Sequence, residues 1–180
     1  MVPIAVLSAL HAARDLGLSP TQSCAIVHEL MFASGAAGMV GGQWLDLSAS
    51  GADTTVADLE RMHRMKTGAL LRASARIGAR AAGASDEMVT ALDRYGAEIG
   101  LAFQIVDDVL DVTSTSAVLG KTAGSDATRG KRTYPALLGV TPAIEQARAR
   151  ADAARTALEE YGLLSDELDA LARYAVERST

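Results

Sequence analysis

Cysteine is nearly absent: among 180 residues only Cys24 carries a thiol. A single cysteine excludes an internal disulfide framework and suits a reducing cytosol, and its apolar neighbours in SCAIVHEL read as a buried structural site. Aromatic residues are scarce as well, at 4% against 49% hydrophobic overall. With Ala and Leu abundant, that mixture favours packed helices over sheet, because strands draw on β-branched and aromatic side chains. Excess positive charge is missing too. A net charge of −5 argues against a nucleic-acid surface, while leaving room for anionic small molecules held by a few local cations. No uncharged run reaches the ~20 residues of an integral membrane segment. The start, MVPIAVLSALHAARDLG, lacks a basic n-region and a cleavage site, so it does not read as a signal peptide, and cytoplasmic is the default. His11, His28 and His63 share no metal-ligand spacing and read as surface or internally satisfied residues. Five of the six methionines, Met31, Met39, Met62, Met65 and Met88, read as core filler.

What is present is helical periodicity, without alternating β runs or tandem repeats. The chain, 1–180, is expected to form one all-α domain with material for a real core. A first helix is expected over Ile4–Leu16, and a second over Gln22 to about Leu47, capped by Thr21 and studded with glycine, alanine and serine. Glycine costs a helix about 1 kcal/mol per position relative to alanine, so these small residues point to close helix contact or backbone approach to a ligand. A third helix is expected from about Thr55 to Ala82, and a fourth from a Ser85 cap to Thr113. A segment rich in Gly, Ser, Thr and cations follows, Thr113–Pro135, long enough for a binding loop. Then come Tyr134–Val140, Pro142–Tyr161 and Ser165–Arg178, the last two amphipathic and structural.

The fourth helix poses the chemical question. In GLAFQIVDDVLDV, Gly100 to Val112, three carboxylates and an amide interrupt an apolar run. At about 100° per residue, Gln104, Asp107, Asp108 and Asp111 fall within one arc of about 100°. The other positions from Leu101 to Val112 are apolar, the reverse of a surface helix. Such a stripe faces an internal polar cavity. Buried carboxylates must protonate, pair with cations or hold a metal. Oxygen-only ligands select hard ions, and Mg²⁺ takes one or two carboxylates with water and phosphate oxygens. The alternative is a solvated acidic patch at a helix end, against which the apolar flanks speak.

Complementary charge lies just beyond: Lys121 in LGKTAGSD, then Lys131 and Arg132 in RGKRTYP. A lysine loop alone also reads as solvated surface; beside carboxylates and Mg²⁺ it reads as a phosphate clamp. Asp126 either orients a loop lysine or caps the turn. Gly120-Lys121-Thr122 is not a Walker A loop, since the upstream glycine and the preceding strand are missing.

Taken together, QIVDDVLD, LGKTAGSD and GKRTYP resemble the second aspartate-rich region of trans-polyprenyl diphosphate synthases of the bacterial farnesyl/geranylgeranyl type. ASGAAGMVGGQWLDL and HRMKTGALLRAS resemble two further blocks in the right order, so the likeness covers essentially the whole chain. It implies an all-α helical bundle around a central cavity, and a homodimer. It also implies Mg²⁺ bridging aspartates to an allylic diphosphate, whose departure leaves a cation attacked by isopentenyl diphosphate. By motif, Asp107, Asp108 and Asp111 would form a metal cluster, with Asp107 the most direct ligand. Lys66, Thr67 and Gln104 would contact the allylic diphosphate and stabilise the developing cation. Lys121 and Lys131 would hold the leaving diphosphate, and Gln43 and Asp46 would face the same cavity. On spacing alone, Lys66 reads as an exposed cation beside Arg61, Arg64 and Arg72.

The resemblance also implies a first aspartate-rich motif with an arginine pair, and no comparable cluster precedes Asp107 in these residues. The expectation is a fragment or mispredicted start of a complete synthase, or a short protein keeping half a site. In either case the chain alone is expected to be weak or inactive, to bind Mg²⁺-diphosphate feebly, and to expose apolar faces that lead to aggregation or to pairing through the second helix. The competing reading is a non-catalytic helical partner or regulatory subunit of a prenyltransferase. A terpene cyclase domain would share the metal logic but not the KTG and GKxTYP-like blocks.

Overall fold

The computed structural model describes residues 2–48, 54–113 and 132–178. Among these the regular structure is entirely helical. Helix α1 (Val2–Asp15) leads to α2 (Pro20–Ser34). The α2 N-cap is Ser19 rather than Thr21. Its hydroxyl accepts from the Gln22 amide, Gln22 reaches back to the Ser19 amide, and Pro20 occupies the first turn, where its missing N–H costs nothing.

The expected second helix is two helices. It breaks after Ser34, and α3 (Met39–Ser48) begins beyond Gly35–Gly38. Four small residues give the backbone freedom to turn, and the Ser34 hydroxyl bonds back to the Leu30 carbonyl at 2.7 Å. By length and composition Pro20–Ser48 is apolar enough to cross a membrane. Here it is bent, and its two acids pair inward, Glu29 with Arg76 and Asp46 with Lys66.

The expected third helix is also interrupted. Helix α4 (Val56–His63) starts on a Thr55–Asp58 capping box, and α5 (Ala69–Ala81) follows. Between them Arg64–Gly68 form a π turn, the one-turn widening found often at functional sites. The close contact expected of small residues is real at this point: a Cβ on Gly42 of α3 would lie 2.2 Å from the Lys66 backbone nitrogen.

Helix α6 (Asp86–Thr113) is the central rod, packed against α5 and α8. After it come α7 (Tyr134–Leu138), α8 (Val140–Glu159) and α9 (Asp166–Glu177). Ala143, Ala147, Ala151 and Ala154, spaced for one helical face, let α8 lie close to α6. One core joins Leu59, Met62, Leu101, Ile105, Val109 and Tyr134; another joins Tyr95, Ile99, Leu158 and Ala172. The α1–α3 layer differs. Phe32, Trp44 and Leu47 are 60%, 70% and 73% exposed. Cys24, expected to be buried, is exposed, because it falls on the outer face of α2. Met31 and Met88 are exposed too, and only Met62 of the five methionines is buried.

Candidate functional site

The polar stripe of α6 faces a cleft that it shares with α3, α4 and the π turn. Gln104, Asp107 and Asp108 line it from α6, Asp46 from α3, His63 from the end of α4 and Lys66 from the π turn. Arg132 and Thr133 close its rim, and Leu59 and Met62 form the apolar floor. Its volume, about 60 Å³, suits a few waters or an ion rather than a prenyl chain. A larger groove of about 670 Å³ lies between α8 and α9. None of the described motif residues lines it, and its Arg155 and Arg173 are both paired with Asp169.

Lys66 is not a free surface cation. The π turn aims it across the cleft, where Nζ donates to Asp46 Oδ2 at 2.7 Å. Asp46 is 8% exposed, so the pair is held at the edge of the core. Asp107, with its side chain 48% exposed, opens outward, and Arg178 Nη2 stands 3.6 Å away. That arginine lies over the Phe103 ring, 3.7 Å from its centroid, and donates to the Phe103 carbonyl at 2.8 Å. Asp108 is enclosed: Oδ2 accepts from the Tyr134 amide at 3.0 Å and faces His63 Nε2 at 3.3 Å.

Beneath the cleft, Glu60, Arg64, Glu98 and Arg150 form a four-membered ion network across α4, the π turn, α6 and α8. Burial opposes the Arg64 charge, but Glu60 and Glu98 outweigh it and hold its pKa above the ordinary value. Burial, reinforced by Glu60, pushes the Tyr134 phenol up to about 12.

Of the residues singled out from sequence, Asp46, Lys66, Gln104, Asp107 and Asp108 meet at this cleft. Asp111 does not line it. Asp111 is 1% exposed and turned into the protein, which narrows the expected four-residue stripe to three. Gln43 is exposed on α3 and Thr67 is half-buried in the π turn, neither lining the cleft. Lys121 and Lys131 lie outside the described residues. Sequence reasoning missed His63 and Arg178. His63 had a signal: with Val56 and Leu59 it continues the apolar face of α4 at helical spacing. Arg178, at the end of an amphipathic helix taken as purely structural, had none.

The family model described as Polyprenyl synthetase matches residues 5–163. The chain is 47% identical over 166 residues to farnesyl diphosphate synthase of Escherichia coli (strain K12), covering 90% of this chain and 56% of that protein. In structure it resembles an FPP/GFPP synthase from Zymomonas mobilis, with TM-score 0.72 and 33% identity over 88% of this chain and 51% of that one. It also resembles a geranyltransferase from Helicobacter pylori complexed with magnesium and isoprenyl diphosphate, with TM-score 0.74 and 28% identity over 88% and 52%. The chain thus spans about half the length of the relatives it matches. With the match running through every helix up to the end of α8, this chain belongs to the polyprenyl synthetase family.

Proposed function

We propose that these residues form part of a prenyltransferase site that condenses an allylic diphosphate with isopentenyl diphosphate. The observation that carries the reading is the meeting of Asp46, Lys66, Gln104 and Asp107 in one cleft from three separate parts of the chain. Magnesium is the ion such oxygen donors fit. Among the described residues no three acidic, histidine or cysteine side chains close around one point. Mg²⁺ needs only one or two carboxylates, and Asp107, the most open of the cluster, would hold it, with water and diphosphate oxygens completing the shell. When bound, the ion neutralises charge developing on the leaving diphosphate.

The chain's own residues do the rest. Lys66 supplies a cation already aimed by Asp46, so little reorganisation is needed when a diphosphate arrives. Gln104 orients the diphosphate beside it; Lys121 and Lys131, and Thr67 and Gln43 from outside the cleft lining, are the further anion contacts that the family resemblance implies. Leu59 and Met62 keep one wall dry, where water would otherwise quench a cation.

Taken alone, the 180 residues are weak or inactive and bind Mg²⁺-diphosphate feebly, and they pair as homodimers through the exposed α2–α3 surface. That surface also supports the second reading, a non-catalytic helical partner of a prenyltransferase. Isothermal titration of the chain with inorganic diphosphate and Mg²⁺ tests the site: weak binding is expected, lost in Lys66→Ala. Binding unchanged by that substitution would refute the proposed site. Turnover of both diphosphate substrates at a rate typical of the family would refute the proposed weakness of the isolated chain.

A further inference from the structure

Asp107 and Asp108 are neighbours in sequence but have different surroundings. The Asp107 side chain is 48% exposed, that of Asp108 only 9%. One oxygen of Asp108, Oδ2, serves two donors from distant parts of the chain. The Tyr134 backbone N–H reaches it at 3.0 Å across 26 residues. His63 Nε2 reaches it at 3.3 Å across 45 residues. The His63 and Tyr134 rings are stacked, centroids 5.8 Å apart and planes 12° from parallel, which locks both against the same carboxylate.

The roles within this group are chemically consistent. A neutral imidazole that donates from Nε2 to the carboxylate leaves Nδ1 as an acceptor. Among the described residues the buried His63 Nδ1 has no partner, and an orphaned acceptor is better tolerated than an orphaned N–H. A backbone amide at the first turn of α7 needs an acceptor outside its helix, and a carboxylate is the strongest available. A metal ion taking Oδ2 would have to displace both donors, so an ion could reach Asp108 only through Oδ1.

We infer that Asp108 is a positioning residue rather than a metal ligand: with His63 it forms a buried clasp that seats the chain at Thr133–Tyr134. The clasp fixes the start of α7 against α6, and so holds Arg132 and Thr133 at the rim of the cleft. Asp107 is then the metal-facing carboxylate of the pair, and Asp108 sets the frame around it. The inference rests on the reading of this cleft as a metal–diphosphate site, but the clasp itself can be read separately.

The test compares the full chain with Asp107→Asn, Asp108→Asn and Asp108→Ala. Two readouts are taken: Mn²⁺ uptake in the presence of inorganic diphosphate, and amide exchange over residues 134–138. Asparagine at 108 keeps a carbonyl oxygen for both donors, so Mn²⁺ affinity should stay within about threefold of wild type. Asp107→Asn should lower it by about tenfold or more. Asp108→Ala should speed exchange of the Tyr134 amide by about tenfold or more. Loss of Mn²⁺ affinity in Asp108→Asn as large as in Asp107→Asn overturns the inference, as does unchanged exchange in Asp108→Ala. If wild type takes up no Mn²⁺, the reading of the cleft fails, and exchange alone decides the clasp. If Asp108→Ala does not fold, Asp108→Asn decides: wild-type protection and affinity support the clasp, and lost protection overturns it.

Discussion

The α6–α8 region and the α1–α3 layer are both rich in alanine and long apolar side chains, yet they use them in opposite ways. Around α6 these residues interlock. Leu101, Ala102 and Ile105 are wholly enclosed, and the alanine face of α8 lies directly against them. In α1 the single buried residue is Ala13, while Ile4, Leu7 and Leu10 face outward. Composition therefore does not decide burial here. What decides it is whether a second apolar face is present to meet the first. The site follows the same division: its floor and acidic wall belong to the packed side, and among the described residues only Asp46 is contributed by the exposed layer.

That contrast can be broken or sharpened by measurement. The largest effect is expected from Leu101→Ala, which empties a fully enclosed position. Urea unfolding should report a loss of about 2–5 kcal/mol. Next comes Ala147→Leu, which forces bulk between α8 and α6 and should cost about 1–3 kcal/mol in the same assay. A smaller change, of opposite sign, is expected from Tyr134→Phe. Among the described residues the buried Tyr134 hydroxyl has no hydrogen-bond partner, so removing it should stabilise the fold by about 1 kcal/mol.

The same substitution has a pH signature. The phenols of Tyr95 and Tyr134 are both pushed up to about 12, chiefly by burial. The folded state therefore holds its phenolic protons more tightly than the unfolded chain, whose tyrosines titrate near ~10. Their contribution is complete below that pH and is lost as pH rises towards about 12. Melting temperature followed from pH 9 upward should fall in wild type and fall less in Tyr134→Phe. The smallest effect on stability is expected from Leu47→Ser, within about 0.5 kcal/mol. Its readout is association: sedimentation should show less self-association than wild type. A loss comparable to that of Leu101→Ala would mean that the outer layer is packed after all.

Helical periodicity made most of the architecture legible, because α6, α8 and α9 carry their burial pattern in the sequence itself. The breaks were not legible. Nothing in local pattern separates a continuous helix from α2 and α3 with a bend between them, since glycine permits the turn without requiring it. The π turn at Arg64–Gly68 was hidden for a related reason: one extra residue in a helix leaves the residue types unchanged. At the site, Gln104 and Asp107 could be placed because an ideal helix fixes their angle. Asp111 shares that angle yet is enclosed, because helix phase does not say where along the rod a cleft ends. Asp108 could be placed on the cleft, but its partners 45 and 26 residues away could not.

The contact between Gly42 and Lys66 has one further consequence. A Cβ at position 42 would lie 2.2 Å from the Lys66 backbone nitrogen and 2.5 Å from its Cα, so the point from which the lysine side chain leaves is set by main chain rather than by exchangeable packing groups. Substitutions of other wall residues can then alter the cleft's size without moving that root, while a single methyl at position 42 would displace it, and with it the ammonium held by Asp46. Diversification at this corner is thus channelled into its walls and kept away from its aim.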